Sequence, residues 1–263
     1  MTWIVGMSTM IGYAIAISDI RVSRGTIERD CLQKVYRVAP GIALGFSGSV
    51  MIGLRMVAAL TDELVRSSSD LPDPIAVATA LPGLARDEFD RSPDQAQEGG
   101  CSLMMISAHP FRNRGEAPFP ATFLHTFRCP DFEPTEVQTS RIESIGSPSQ
   151  AESCRRALHE IMRNEERDLG ILKSLMTVPQ IGAAATLGYE LTKLLQESPQ
   201  AGVSPHLHVC TVTRGRVVVA PNDFVTYDAS GPKEFRMPSV ARTQIEFNAL
   251  WSTLASAGDF PIA

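Results

Sequence analysis

A threonine placed directly after an initiator methionine can do chemistry that no internal threonine can. Removal of Met1, expected before so small a residue, would leave Thr2 with a free α-amine, whose ordinary pKa is about 7.7–8.0, beside its own hydroxyl. One residue is then both nucleophile and general base. Such a centre needs a fixed positive charge to ease deprotonation and a carboxylate to hold that charge. It also needs a backbone N–H aimed at the developing oxyanion. Lys34, Asp19 and Gly48 are residues of these three types downstream of Thr2. Each also has a plainer reading. A strand-end aspartate commonly forms turns, and a strand lysine commonly lies on a solvated edge. The joint occurrence, in order along the chain, is what carries weight.

The elements that must position these residues can be read from periodicity. Thr2–Met7 and Gly12–Asp19 are predicted strands joined by a tight connection. The same apolar stretch could be an export leader, with Ala14 and Ala16 as an A-x-A site. No Lys or Arg precedes the run, however, and Gly6, Ser8, Thr9 and Gly12 interrupt it. It is also too short and too polar for a membrane span, which needs ~20 apolar residues. Gln33–Val38 and Ile42–Phe46 are predicted strands turned at Pro40-Gly41. Ser47-Gly48-Ser49 then introduces a helix over Met51–Arg66, with Met51 and Met56 on its core stripe, and a second helix follows over Pro74–Phe89.

Beyond a polar loop at 92–99, Cys101–Ala108, Ala121–Phe127 and Glu136–Ile145 read as strands, with a Pro-rich loop over 110–120. Helices are predicted over Ser149–Arg163, Leu169–Met176 and Ile181–Gln196, then a hairpin of His206–Thr213 and Gly215–Ala220. One more helix, Val240–Ala255, lies in the tail. This order predicts an α+β fold with helices outside two sheets.

Composition narrows the function classes. The 263 residues carry a net charge of -5 and no basic cluster, which argues against nucleic acid as a partner. Five cysteines (Cys31, Cys101, Cys129, Cys154 and Cys210) are odd in number and lack any C-x-x-C pair, as expected of reduced cytoplasmic thiols. His206 and His208 have a spacing that could place two imidazoles on one strand face. No supporting Cys or carboxylate stands at metal-ligand spacing, so an ordinary strand is the better reading and neither metal nor cofactor is expected. Cys31, near Lys34, is read as a packed residue.

Taken together, Thr2, Asp19-Ile20-Arg21, Lys34-Val35 and Ser47-Gly48-Ser49 resemble the motif series of proteasome β-subunits and HslV-type peptidases. The spacing from Thr2 through Lys34 to Gly48 matches that family, with Asp19 one residue late. Ile145-Gly146-Ser147 resembles the family's I-G-S-G segment, and Ser204 falls where a second supporting serine is found. Small bacterial homologues of the Anbu and BPH kind are the nearest in character. There are departures: Ala201 stands where an aspartate is usual, and Pro205-His206 replaces a glycine pair.

The resemblance implies an N-terminal-nucleophile (Ntn) hydrolase domain over residues 1–221. Its fold would be a four-layer αββα sandwich of two antiparallel sheets flanked by helices. Residues 222–263 would be an extension with one helix, packing on the domain or on a neighbouring subunit. The implied roles are Thr2 as nucleophile, Lys34 and Asp19 as its activating pair, Gly48 as oxyanion donor, and Ser147 and Ser204 as supports. The family's specificity pocket falls on Val22, Leu32, Tyr36, Phe46, Val50 and Leu54, which implies a neutral, apolar preference. The implied activity is threonine-type peptidase action in a homo-oligomeric ring or double ring, on peptide or unfolded protein, without a membrane and, as in some members of the family, with an ATP-dependent unfoldase. A catalytically silent ring subunit and an amidase for small amides are the alternatives.

Overall fold

The computed structural model describes residues 3–67, 70–116, 118–146, 152, 155–160, 182–199, 202–221, 223–228 and 231–256. Thr2 and Ser147 lie outside the described residues, as do Ala201 and most of the expected helices between 149 and 176.

The chain is α+β. Its first sheet contains β1 (Trp3–Ser8), β2 (Ala14–Asp19), β10 (Glu143–Gly146), β11 (Leu207–Thr213) and β12 (Arg216–Val219), in the order β10-β1-β2-β11-β12. The second contains β5 (Val35–Ala39), β6 (Ile42–Gly48), β7 (Cys101–Asn113), β8 (Pro120–Arg128) and β9 (Thr135–Val137), in sequence order. All pairings in both sheets are antiparallel.

Strand alternation explains why β1 and β2 resemble an export leader. Successive side chains point to opposite faces, and here both faces are covered. Ile4, Ala14 and Ala16 join Val35, Ala43 and Met104 in one apolar cluster between the two sheets. Trp3, Val5, Ile15 and Ile17 point the other way, against Ala184, Leu187 and Leu191 of helix α4 (Gly182–Glu197). A nearly unbroken apolar run is what a strand buried on both sides requires.

A third cluster lies outside the second sheet, beneath α1 (Val50–Arg66) and α2 (Pro74–Asp90). Ile52, Met56 and Leu60 of α1 pack there with Leu44, Phe46 and Leu103. Helix and strand approach closely at Gly53, where an added Cβ would stand 2.1 Å from the Phe46 ring. Phe46 in turn stacks on Tyr36, ring centroids 6.1 Å apart. Each such large side chain contributes about 1.5–3 kcal/mol by leaving water.

Several elements were not legible in the pattern. Arg21–Arg24 and Ile27–Asp30 form a hairpin, β3–β4, too polar to show strand alternation. Single-turn helix α3 (Asp94–Gln97) lies in the expected polar loop. The Pro-rich stretch after Ala108 is partly strand: β7 runs on to Asn113, which pairs with Pro120 past an irregularity. In the tail, β13 (Asp223–Asp228) pairs with β14 (Gly231–Arg236) before helix α5 (Gln244–Ser256). No helix among the described residues is long and apolar enough to cross a membrane.

Candidate active site

Asp19 ends β2, and Lys34 stands immediately before β5. Strands of different sheets thus deliver a carboxylate and an ammonium to one point. Lys34 Nζ lies 2.5 Å from Asp19 Oδ1, and both side chains are fully buried. The ammonium also donates to the Arg21 carbonyl at 2.6 Å. Asp19 Oδ1 accepts a second hydrogen bond, from the Trp3 N–H at 3.3 Å. Asp19 Oδ2 is buried without a hydrogen-bond partner among the described residues.

Burial drives both members of this pair towards their neutral forms. It raises the Asp19 pKa, with the Lys34 charge acting against it. It lowers the Lys34 pKa, with Asp19 opposing. The ammonium therefore holds its proton less firmly than a solvated lysine, and the partner carboxylate is what keeps it charged.

Gly48 closes β6 at the threshold of α1. Its φ of +98° is one that side-chain-bearing residues rarely adopt. An added Cβ would also fall 2.4 Å from the Gly100 carbonyl oxygen, so glycine is required twice over. Phe46 N–H donates to the Lys34 carbonyl on the β5 side. By strand alternation the Gly48 N–H faces that same side, beyond the last paired residues, Val35 and Gly45. Ser49 N–H turns the other way, to the Gly100 carbonyl, while the Ser49 side chain caps α1 by accepting from Ile52 N–H. The positive end of the helix dipole thus begins next to Gly48.

Ser204 is fully buried and tied to a residue that sequence reading passed over. Its hydroxyl donates to Asp30 Oδ2 at 2.7 Å and accepts from the His206 N–H at 2.9 Å. Asp30 also receives the Arg21 guanidinium at 2.8 Å, and the His206 ring lies 3.4 Å away. Ser204 thus has a carboxylate partner in Asp30, on the β3–β4 hairpin. Burial alone would raise the Asp30 carboxyl. Hydrogen bonds from His206, Arg21 and Ser204 outweigh it and hold the group well below the usual carboxylate range. Arg21 joins the two networks, its backbone serving Lys34 and its side chain serving Asp30. A basic residue opposite an acidic one across a short hairpin was the available sequence signal.

The six residues expected to line a specificity pocket separate into two groups. Val22 and Val50 border a cavity of about 660 Å³ that also touches Gly48. Leu32, Tyr36, Phe46 and Leu54 do not line that cavity and are packed into the cluster beneath α1, which Val22 also joins, together with Ala241 and Trp251 from the tail. Met51, read as core, is half-buried and borders the cavity. A larger cavity, about 740 Å³ between α1 and α2, touches none of the candidate residues. Cys31 is fully buried, and its thiol is pushed up to about 11 by burial although Lys34 pulls it the other way. His208 lies within β11, whereas His206 precedes it. No group of three or more His, Cys, Asp or Glu among the described residues could hold a metal ion.

Comparison with known proteins returns no matching family model and no matching curated protein.

Proposed function

We propose that the chain is a threonine-type peptidase of the Ntn-hydrolase kind, built on the four-layer αββα sandwich and using Thr2 as nucleophile after loss of Met1. One observation carries the reading: the buried Lys34–Asp19 pair, with the Trp3 N–H on the same carboxylate oxygen. A lysine and an aspartate hidden together cost solvation energy, and the N–H that Asp19 accepts from belongs to Trp3, the residue after Thr2 in the chain. The register of β1 on β10 pairs Trp3 with Gly146. In the sequence Thr2 precedes Trp3 and Ser147 follows Gly146, and both lie outside the described residues.

In this reading Thr2 Oγ attacks the scissile carbonyl carbon as its proton passes to the Thr2 amine. Lys34 eases that transfer through its positive charge. The Gly48 N–H stabilises the oxyanion of the tetrahedral adduct. Collapse breaks the C–N bond, the departing amine takes the proton, and an ester remains on Thr2. Water, deprotonated by the same amine, attacks the ester and releases the acid. An open nucleophile would also attack folded neighbours, so the proposal includes assembly of copies into a ring or double ring around the site. The substrates would be peptides or unfolded chains in the cytoplasm.

The test is intact mass after incubation with a peptide epoxyketone, which requires both the Thr2 hydroxyl and a free amine. One adduct per Met1-processed chain is expected, and none on Thr2→Ala. A Met1-processed protein that forms no adduct would overturn the reading.

A further inference from the structure

The cavity beside Gly48 has a wall that the expected pocket residues do not supply. Val22, Val50 and Met51 form one side, and Ala96 of α3 lies at another. The remaining side is helix α5, through Gln244, Phe247 and Asn248. This helix belongs to the tail, outside the stretch that carries the family resemblance.

Its placement has local and distant causes. Thr243 and Glu246 start the helix: Thr243 Oγ1 accepts from Glu246 N–H, and Glu246 Oε2 accepts from Arg242 N–H. The segment before it is then fastened to the β4–β5 connection. Ala241 N–H donates to the Cys31 carbonyl at 2.8 Å, and Gln33 N–H donates to the Ala241 carbonyl at 3.0 Å. Phe247 and Trp251 contact each other, ring centroids 5.7 Å apart, and Phe247, Leu250 and Trp251 pack on the cluster that holds Leu32 and Tyr36. The tail thus covers ground where the family pattern puts an open pocket, and leaves a shifted cavity alongside.

We infer that α5 forms the specificity wall of this chain, with Phe247 setting how large a side chain the cavity admits. This rests on the peptidase reading, in which the substrate carbonyl sits at Gly48. The side chain next to that carbonyl then enters the cavity that Gly48 borders. Val22, Val50, Met51, Ala96 and Phe247 supply the apolar part of its lining, beside the neutral polar side chains of Ser23, Ser49, Gln95, Gln244 and Asn248. Among the described residues lining it, Arg24 is the one charged group and no carboxylate is present. The class of ligand selected is a peptide with an uncharged apolar side chain of moderate size at this position, and a lysine is rejected there.

Binding can be read without the nucleophile. Acetyl-Ala-Ala-X-amide peptides, with X as Leu, Trp or Lys, are titrated by calorimetry into full-length Thr2→Ala protein, alone and combined with Phe247→Ala or Phe247→Leu. The expected order is Leu first, Trp weaker and Lys without measurable heat. Removing the Phe247 ring is expected to shift the Leu-to-Trp ratio about tenfold or more towards Trp. Phe247→Leu, which keeps the packing apolar, is expected to shift it in the same direction by less. An unchanged ratio in both folded variants, or lysine binding as well as leucine, would overturn the inference. Selective binding without an epoxyketone adduct on the wild-type chain would instead overturn the peptidase reading and leave α5 as the wall of a peptide-binding cavity.

Discussion

Asp30 on the β3–β4 hairpin and Ser204 before β11 are joined by a 2.7 Å hydrogen bond across 174 residues of sequence. That contact connects the hairpin carrying Arg21 to the sheet carrying Asp19. Through Arg21 it reaches Lys34, so two charged networks share one residue. Ser204 thus takes its carboxylate partner from a different element, the β3–β4 hairpin.

The Lys34–Asp19 pair supports stability only while intact. Lys34→Met strands a buried carboxylate, and Asp19→Leu strands a buried ammonium. Each is expected to cost about 3–5 kcal/mol in urea unfolding. The double variant is expected to recover most of that loss while epoxyketone labelling stays absent. Full stability loss in the double variant would show that the pair contributes more than mutual neutralisation.

Asp30 gives a pH dependence with a definite sign. Its folded-state pKa lies below the unfolded value of about 3.9. The unfolded chain then binds more protons in the intervening range, and stability rises with pH there. The contribution is complete above the ordinary aspartate range and is lost as pH falls below about 4. Unfolding free energies at pH 5, 4 and 3 are expected to fall more steeply for the wild type than for Asp30→Asn. Parallel curves would remove Asp30 from the acid response.

Gly48→Ala would have to move the Gly100 backbone and adopt an unfavourable φ. A loss of about 1–3 kcal/mol is expected, together with slower epoxyketone labelling. Labelling at the wild-type rate in a folded Gly48→Ala protein would show that the left-handed Gly48 backbone is not needed to aim the oxyanion donor.

Thiol reactivity should follow burial. Cys31, Cys101 and Cys210 are buried, and burial pushes all three thiols up. Cys129 is half-buried and lies nearer solvent. Among these four, iodoacetamide at pH 8 is expected to modify Cys129 first, as read by peptide mass. Early modification of Cys31 would show that the cover provided by the tail opens in solution.

Trp251 is nine-tenths buried on the cluster under α1, so Trp251→Ala is expected to cost about 3 kcal/mol. The measurement is the denaturant midpoint. A cost within about 0.5 kcal/mol, the range of ordinary surface substitutions, would mean that α5 is held by little more than the Ala241 hydrogen bonds.

Local pattern was enough to place most of the elements among the described residues. The two-faced apolarity of β1 and β2, the turn at Pro40-Gly41 and the serine cap of α1 all depend on near neighbours, which spacing records. The element limits near Asp19, Lys34 and Gly48 were legible for the same reason, since the chain itself marks them. The partnership of Asp30 with Ser204 was not, nor was the burial of Leu32 and Tyr36 under Trp251. Those contacts join segments that meet only after the sheets close, and no pattern within either segment encodes the other's position. Tertiary structure therefore decided which polar groups are paired in the interior and where open space remains beside Gly48. Burial and hydrogen bonding are properties of the packed whole, and they exist only once distant strands and the C-terminal helix share one surface.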